Sequence, residues 1–397
     1  MGEKLTGVNP KIIQWARERA RYSLESVAVK FKKDVSVIEK WESGEDFPTY
    51  SQLEKLAEIY KRPLALFFFP EPPLEAEEKQ EFRTLPDFEI ENLAADTIYA
   101  LRQAKAMQLS LQEINNGINP STKKIFQDIA VSSSDDLRKL AEQIRNYLNV
   151  TLEEQLTWND QETALKKWRS AVEEAGIFIF KRSFKQREIS GFCLIDLEFP
   201  IIYLNNSTEK ARQIFTIFHE LAHILLQTNG ITKSDDRYIN SLKGENKYIE
   251  IFCNKFAAEF LLPNHVFSEI IRETVVNVND NDNDKIISKI SSDYKVSREV
   301  VLRKLLDNNF ISQKEYSLKV SEWYSEQVGK SQDKNKKSGG NPYANQATYL
   351  GENYLKLVFN KYYQGQYDIE RVADYLNIKK VATVEKLEQY LLDKGLF

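Results

Sequence analysis

Two histidines and a glutamate, spaced His219-Glu220-x-x-His223, are the residues of this chain best suited to chemistry. On a helix, side chains four positions apart lie nearly above one another, so His219 and His223 can turn their imidazoles to one metal ion. Glu220 lies about 100° around the helix from His219. There its carboxylate can reach a water on the metal rather than the metal itself. The spacing predicts a zinc site with Glu220 as general base.

Chance alone can place two histidines four positions apart. However, the whole chain has 3 histidines, and this pattern uses two of them. The residues around the pattern, from Ile214 to Leu226, are apolar over most of the helix circumference, which is typical of a buried helix rather than a surface helix. The context therefore favours a metal site over a coincidence.

A zinc hydrolase needs a third protein ligand and an open fourth position. A second helix is predicted over residues 248–262, and its Glu250 is an acid among aromatic and aliphatic neighbours. We expect Glu250 to be the third ligand. Asn254, one turn later on the same face, is expected to hydrogen-bond a ligand histidine. Glu259, on the same helix, competes with Glu250 for the ligand role.

Peptide hydrolysis also requires a group that stabilises the oxyanion. His265, Tyr238 and Tyr248 are possible stabilisers, and the sequence does not choose among them. His265 lies just beyond the helix-ending Pro263, a position that favours a core or surface histidine over an oxyanion stabiliser. The oxyanion assignment therefore stays open among these three residues.

Three strand-like segments precede the motif helix: Ile177–Phe180, Ile189–Ile195 and Pro200–Leu204. The edge strand of such a sheet can pair with an extended substrate backbone and hold the scissile bond over the metal. We expect this substrate edge in the second segment, at Ser190, Gly191, Phe192 and Cys193.

The motif strings HELAHILL, from His219, and ExxxNxFAAxxLLP, from Glu250, resemble the ImmA/IrrE family of metallopeptidases, small relatives of the gluzincins. The resemblance covers roughly residues 165–310. It implies one Zn²⁺ per chain and favours Glu250 over Glu259 as its third ligand. It also implies that the substrate is a helix-turn-helix repressor, whose cleavage switches on mobile-element or stress genes. Cys253 stands where the family commonly has alanine.

The N-terminal residues 10–69 are predicted to form five short helices, two of them joined by a tight turn. The segment Ser23–Leu64 resembles the phage-repressor-like (XRE) helix-turn-helix family, which makes Asp34–Ser43 the recognition helix. For duplex DNA, the expected contacts are Ser36, Val37 and Lys40 in the groove, with Lys32 and Lys33 on phosphates. Acids match the basic residues in this region, so protein docking or dimerisation is the alternative.

Composition narrows the class of protein further. The chain has 397 residues, 42% of them hydrophobic, a net charge of −4 and 2 cysteines. These values predict two or three soluble domains with no disulfide framework and no global attraction to nucleic acid. The first residues lack a signal-peptide pattern, and no apolar run reaches about 18 residues. A cytoplasmic protein with no membrane partner is expected.

The predicted fold is α+β and predominantly helical. It comprises a five-helix helix-turn-helix bundle (1–75), a helical connector (76–155), a gluzincin-like zinc peptidase with a three-stranded sheet (156–327), a flexible linker (328–346) and a small helical bundle (347–397). The connector includes Phe82 and Arg83, which are expected to pack onto a domain. The run Asp280–Asp284 lacks the glycine and glutamate of an EF-hand and is predicted to be a solvated turn.

The predicted function is zinc-dependent endopeptidase activity on a repressor- or antitoxin-like protein, controlling mobile-element, stress or toxin–antitoxin genes. Double-stranded DNA and a second copy of the chain are the further expected partners. The alternative is a transcriptional regulator or antitoxin whose metallopeptidase-like domain senses a metal or ligand without proteolysis. A third possibility is a different hydrolase with the same motif. Glu220 argues against a pure sensor, because sensing requires no base beside the ligands.

Overall fold

The computed structural model describes residues 3–75, 92–186, 188–233, 236–275, 283–332 and 340–396. The chain divides into two compact units. The described residues 3–75, 92–103 and 184–186 form the first unit, and those from 104 to 183 and from 188 onward form the second. No helix in these ranges is long and apolar enough to cross a bilayer.

Some sequence predictions lie outside the described residues. These are the packing of Phe82 and Arg83, the residues 280–282 of the predicted acidic turn, and the residues 333–339 of the predicted linker.

The first unit contains a bundle of short helices: α1 (Pro10–Arg19), α2 (Leu24–Phe31), α3 (Val35–Ser43), α4 (Tyr50–Tyr60) and a 3₁₀ helix (Leu64–Phe68). Side chains cap α1, α2 and α3, because Asn9, Ser23 and Asp34 each accept a backbone N–H from the first turn. One apolar core joins the helices, including Ile12, Ile13, Val27, Ala28, Ile38, Trp41, Leu53 and Leu56. The predicted five-helix bundle is confirmed, with a fifth helix of 3₁₀ type.

The second unit is largely helical. The helix α5 (Ala95–Ile114) has its residues up to 103 in the first unit and the rest in the second. The further helices before the sheet are α6 (Ile125–Asp128), α7 (Leu137–Tyr147), α8 (Leu152–Thr157) and α9 (Gln161–Glu174). The motif helix is α10 (Lys210–Leu225), and a 3₁₀ helix (Asp236–Ser241) follows it. The next helices are α11 (Gly244–Leu261), α12 (Asn264–Val275), α13 (Asn283–Tyr294), α14 (Arg298–Asp307) and α15 (Gln313–Gln332). The last helices are α16 (Pro342–Leu350), α17 (Glu352–Tyr363), α18 (Ile369–Tyr375) and α19 (Val381–Asp393).

A small mixed sheet supports the motif helix. Its strands are β1 (Phe178–Arg182), β2 (Ile189–Leu194), β3 (Ile201–Asn205) and β4 (Ile231–Lys233), in the order β1-β3-β2-β4 among the described residues. β1 pairs in parallel with β3, whereas β2 runs antiparallel to both β3 and β4. Three strands were predicted; the fourth, β4, has only three residues, too few for a recognisable alternating pattern.

The prediction that Ser190–Cys193 forms a substrate edge is wrong. These residues lie in β2, which pairs with β3 on one side and with β4 on the other, and the whole strand is buried. The backbone groups of β2 are therefore engaged within the sheet. On this side of the sheet the edge strand is β4, which follows the motif helix directly.

Aromatic packing fixes the motif helix against its neighbours. The ring of Phe218 on α10 stacks on Phe260 of α11 at 4.1 Å and meets Trp168 of α9 edge-on at 4.9 Å. Arg145 of α7 lies 4.7 Å from the centre of the Phe260 ring and donates to the Phe260 carbonyl at 2.6 Å. The same core includes β1 and β3. The register between α10 and α11, which carry the predicted ligands, is thereby fixed.

The C-terminal helices pack beside the sheet. Arg169 of α9 donates to the Thr348 carbonyl at 2.8 Å and forms a partly buried ion pair with Glu173 at 2.9 Å. The ring of Tyr354 on α17 meets Phe180 of β1 edge-on at 5.2 Å. Residues 328–332 of the predicted linker belong to α15, and its residues from 342 onward belong to α16.

Candidate metal centre

His219, His223 and Glu250 lie together at the centre of the second unit, and each is fully buried. The Nε2 atoms of the two histidines are 3.1 Å apart. The Glu250 carboxylate faces both rings, with Oε2 at 3.5 Å from His219 Nε2 and Oε1 at 3.4 Å from His223 Nε2. Three ligand atoms thus converge on one point, as the helix spacing requires.

The other ring nitrogens define the tautomers. His219 Nδ1 lies 2.9 Å from Asn254 Oδ1, and His223 Nδ1 lies 3.2 Å from Thr228 Oγ1. The Thr228 hydroxyl donates to the His223 carbonyl at 3.3 Å, so its oxygen accepts from the ring. With the Asn254 oxygen as acceptor too, the neutral form of each histidine has its proton on Nδ1. Both Nε2 lone pairs therefore point towards Glu250 and towards each other.

The carboxylate of Glu250 is held in its anionic form. Complete burial acts to raise the pKa of Glu250, but the neighbouring His223 and hydrogen bonding to both histidines outweigh it, and the pKa is lowered. Tyr238 adds to this by donating its hydroxyl to Glu250 Oε2 at 2.7 Å. The buried carboxylate therefore requires positive charge beside it, carried either by a protonated imidazole or by a cation between the three groups.

Glu220 is also fully buried, beside this group. Its Oε1 accepts a hydrogen bond from the hydroxyl of Thr232 in β4. Its Oε2 has no hydrogen-bond partner among the described residues. One oxygen is thus fixed by the sheet, and the other keeps its hydrogen-bonding capacity unused among the described residues.

The acid that competed for the ligand role has a different partner. Glu259 accepts from Lys304 of α14 at 2.8 Å and from the backbone N–H of Asn264 at 3.0 Å. It caps α12 and ties α14 to α11, so it is already paired. Of the two acids, Glu250 alone faces the histidines in the described structure.

The three predicted oxyanion stabilisers have different environments. Tyr238 is buried and contacts Glu250. Tyr248 is 70% exposed, and His265 is exposed at the start of α12. The structure therefore brings Tyr238 to the ligand group, and places Tyr248 and His265 at the surface.

Sequence reasoning missed three residues of this site: Thr228, Gly230 and Thr232. All three follow the motif helix, where the chain turns back into β4. Thr228 orients His223, and Thr232 holds Glu220. A Cβ atom at Gly230 would lie 2.5 Å from Cδ2 of the His223 ring, so only glycine leaves room for the ligand. The sequence signal that could have indicated these three residues is that they lie within ten positions after the H-E-x-x-H motif.

Gly230→Ala should therefore displace the His223 ring. We expect a loss of zinc affinity of about 10–100-fold, comparable to the loss of an outer-shell contact. Competition with a coloured chelator measures it. Gly340→Ala, where the nearest atoms to an added Cβ are 3.7 Å away, is the matched control. Unchanged affinity in Gly230→Ala would contradict the proposed position of the ring.

The predicted DNA-contacting residues lie on and before α3. Lys32, Lys33, Ser36 and Lys40 are exposed. Val37 was expected to be exposed as well, and this is wrong: it is partly buried and packs against the bundle core, since it lies one position before Ile38. Four of the five predicted contact residues are thus accessible to a partner.

Comparison with known families gives two matches. Residues 172–306 match the peptidase M78 family model, described as the IrrE N-terminal-like domain. Residues 13–67 match a helix-turn-helix family. No curated protein matches the chain. The first match contains both histidines of the motif and Glu250, and the second contains α2 and α3.

Proposed function

We propose that this chain, which joins an IrrE-like M78 peptidase domain to an XRE-type helix-turn-helix domain, is a zinc-dependent endopeptidase. Its substrate class is a helix-turn-helix repressor or an antitoxin-like protein. Cleavage of that protein would switch on mobile-element, stress or toxin–antitoxin genes.

One observation carries the proposal. Two imidazole lone pairs and a carboxylate face one another at 3.1–3.5 Å in a fully buried position. Such an arrangement is repulsive unless a positive charge lies between the three groups. Glu250 Oε1 also lacks a hydrogen-bond partner among the described residues. Two histidines and one carboxylate form a ligand set suited to catalytic zinc, leaving a position for water or substrate.

Zinc bound by His219, His223 and Glu250 would polarise the scissile carbonyl and lower the pKa of the attacking water. Glu220 uses its unpaired Oε2 to take the proton from that water, and later delivers it to the leaving amine. Thr232 keeps the carboxylate of Glu220 in place through its other oxygen. Asn254 and Thr228 hold the two imidazoles in the tautomer required for ligation.

The substrate strand is reassigned from β2 to β4. β4 is an edge strand, and its Thr232 contacts the general base. Arg212 of α10 donates to the Lys233 carbonyl and to the Ser190 hydroxyl, which fixes β4 against β2. An extended peptide that pairs with β4 would therefore lie beside Glu220.

The helix-turn-helix domain would bring the peptidase to duplex DNA. The exposed Lys32 and Lys33 in the turn before α3 would contact phosphates, and the exposed Ser36 and Lys40 would enter the groove. The pairing of Arg17 with Glu42 at 2.7 Å is internal to the bundle and leaves these lysines available. Docking of a protein with a similar fold is the alternative use of this surface.

Loss of the Asn254 side chain should weaken zinc binding without removing a ligand. Asn254→Ala leaves His219 Nδ1 without its acceptor, so we expect zinc affinity to fall by about 10–100-fold. Asn254→Asp keeps an oxygen acceptor and should retain most of the affinity. Zinc titration against a chelator distinguishes the two variants. Equal affinity in Asn254→Ala and the wild type would refute this role.

The substrate class is tested in cells that express either the wild type or Glu220→Gln. Mass spectrometry of protein N-termini should find new termini in the wild-type cells alone, within a protein that carries a helix-turn-helix domain. New termini only in unrelated proteins would overturn the substrate class. Equal termini in both cell lines would overturn the peptidase assignment.

A further inference from the structure

The C-terminal bundle contains a pair of helices that repeats the pair in the N-terminal helix-turn-helix domain. α18 and α19 are joined by residues 376–380, as α2 and α3 are joined by residues 32–34. The repeat can be followed residue by residue in capping, backbone conformation, burial and sequence.

The first helices of the two pairs share one register. Asp368 caps α18 by accepting from the N–H three residues later, as Ser23 does for α2. Nine positions after each cap, Asn377 and Lys32 adopt left-handed conformations, with φ of 52° and 54°. A buried Val-Ala pair precedes each left-handed residue by five and four positions. The pairs are Val372-Ala373 before Asn377 and Val27-Ala28 before Lys32.

The backbone hydrogen bonds at the turns also match. The N–H of Asn377 bonds to the carbonyl three residues back, and the N–H of Ile378 bonds to Ala373 at 2.8 Å. The N–H of Lys32 likewise bonds three residues back, and the N–H of Lys33 bonds to Ala28 at 3.1 Å. Both turns therefore leave the first helix in the same direction. The same capping geometry also ends other helices of the chain, for example at Asn149 and Asn309, so the nine-residue spacing from the cap and the Val-Ala pair are what relate these two turns.

The second helices share sequence and exposure. The six residues from Val37 to Glu42 in α3 correspond to the six from Thr383 to Glu388 in α19. Counted from the left-handed residue, the second turn is one residue longer than the first. From Val35 to Glu42 and from Val381 to Glu388, buried, partly buried and exposed positions follow the same order. Ile38 and Trp41 of α3 correspond to Val384 and Leu387, which are buried in the C-terminal bundle.

We infer that α18 and α19 form a second helix-turn-helix that binds duplex DNA through the exposed face of α19. Two adjacent exposed lysines, Lys379 and Lys380, occupy its turn, two positions later in the aligned register than Lys32 and Lys33 in the first turn. Lys386 is exposed on α19 at the position of Lys40. Lysines at the turn contact phosphates while the exposed face of the second helix enters the major groove.

The surface chemistry favours DNA over a protein partner. The exposed residues of α19 nearest the turn are Ala382, Glu385, Lys386 and Gln389. Near the turn, this surface lacks the large apolar side chains that anchor protein–protein contacts, and the exposed Leu392 lies at the far end of α19. Small and polar side chains flanked by lysines are typical of a helix that reads a groove.

The test compares the full-length protein with a double charge reversal, Lys379→Glu/Lys380→Glu. The probe is a fluorescein-labelled random-sequence duplex of about 40 base pairs, roughly four helical turns. Anisotropy is measured across a salt series. We expect the variant to bind at least about tenfold more weakly at low salt, with the slope of log K against log salt reduced by about two.

Two further variants separate the alternatives. Lys166→Glu/Lys167→Glu reverses the same charge at exposed positions of α9 and should stay close to the wild type. Lys32→Glu/Lys33→Glu reports on the N-terminal motif independently. Zinc content and circular dichroism confirm that each variant is folded. If the C-terminal variant keeps the wild-type affinity and slope, or if the wild type does not bind the duplex at low salt, the inference is overturned.

Discussion

Glu220→Gln is expected to abolish peptide cleavage while leaving zinc bound. The amide cannot take a proton from water, so we expect kcat to fall by about 10²–10⁴-fold, the range for loss of a general base. The metal should stay, because Glu220 is not one of the three convergent ligand residues. Glutamine also keeps an oxygen that can accept from Thr232. Cleavage of the substrate and zinc content, measured on the same preparation, are the two readouts.

Glu245→Gln is the matched control, because it makes the same change at an exposed position in the first turn of α11. It should cleave as the wild type does. A Glu220→Gln variant that cleaves at the wild-type rate would refute the role of Glu220. A variant that also loses zinc would show that Glu220 belongs to the ligand set.

Glu250→Ala should lose zinc binding itself. The substitution removes the carboxylate that faces both histidines, and two neutral imidazoles remain. We expect zinc affinity to fall by more than about 100-fold, beyond the effect of an outer-shell residue. Zinc should raise the melting temperature of the wild type by mass action, and should no longer do so in the variant. Thermal unfolding with and without zinc measures this difference.

Glu259→Gln tests the alternative ligand on the same helix. It leaves Lys304 buried without its ion-pair partner, so the free energy of unfolding should fall, by about 3 kcal/mol. The zinc-dependent rise in melting temperature should nevertheless persist. The reverse pattern, in which zinc stabilises Glu250→Ala but not Glu259→Gln, would exchange the roles of the two acids.

The sequence predicts the part of the site that lies on helices. The spacing of His219 and His223 is a local property of one helix, and Glu250 and Asn254 share the face of another. These four side chains meet in the structure. The same periodicity also separates Ile38 from the exposed residues of α3, although it did not reveal that the adjacent Val37 is partly buried.

The rest of the site depends on how the chain returns after the motif helix. β4 is three residues long, and it is a strand because β2 offers it hydrogen bonds, which no local pattern reveals. Without β4, the sheet has β2 at its edge, which is why the sequence predicts the substrate edge there. Gly230 is required by the position of the His223 ring, a tertiary contact. The side-chain chemistry of Tyr248 and His265 suits an oxyanion stabiliser, but tertiary packing leaves both at the surface.

The repeated helix pair is difficult to recognise in the sequence because its identical residues form short, separated groups, such as Val372-Ala373 and Glu385-Lys386. Ile38 corresponds to Val384 and Trp41 to Leu387, and the second turn has one extra residue. Left-handed backbone at Lys32 and Asn377 becomes visible only in the structure, since neither residue is glycine.

X-ray absorption at the zinc edge of the purified full-length protein tests the central claim most directly. Two cysteines, Cys193 and Cys253, are buried in the same unit as the proposed ligands, so the type of ligand atom is decisive. The structure predicts about one zinc per chain, with nitrogen and oxygen ligands alone at about 2.0–2.2 Å and the scattering signature of two imidazoles. A sulfur ligand at about 2.3 Å, or a folded protein that takes up no zinc, would contradict the His219–His223–Glu250 centre.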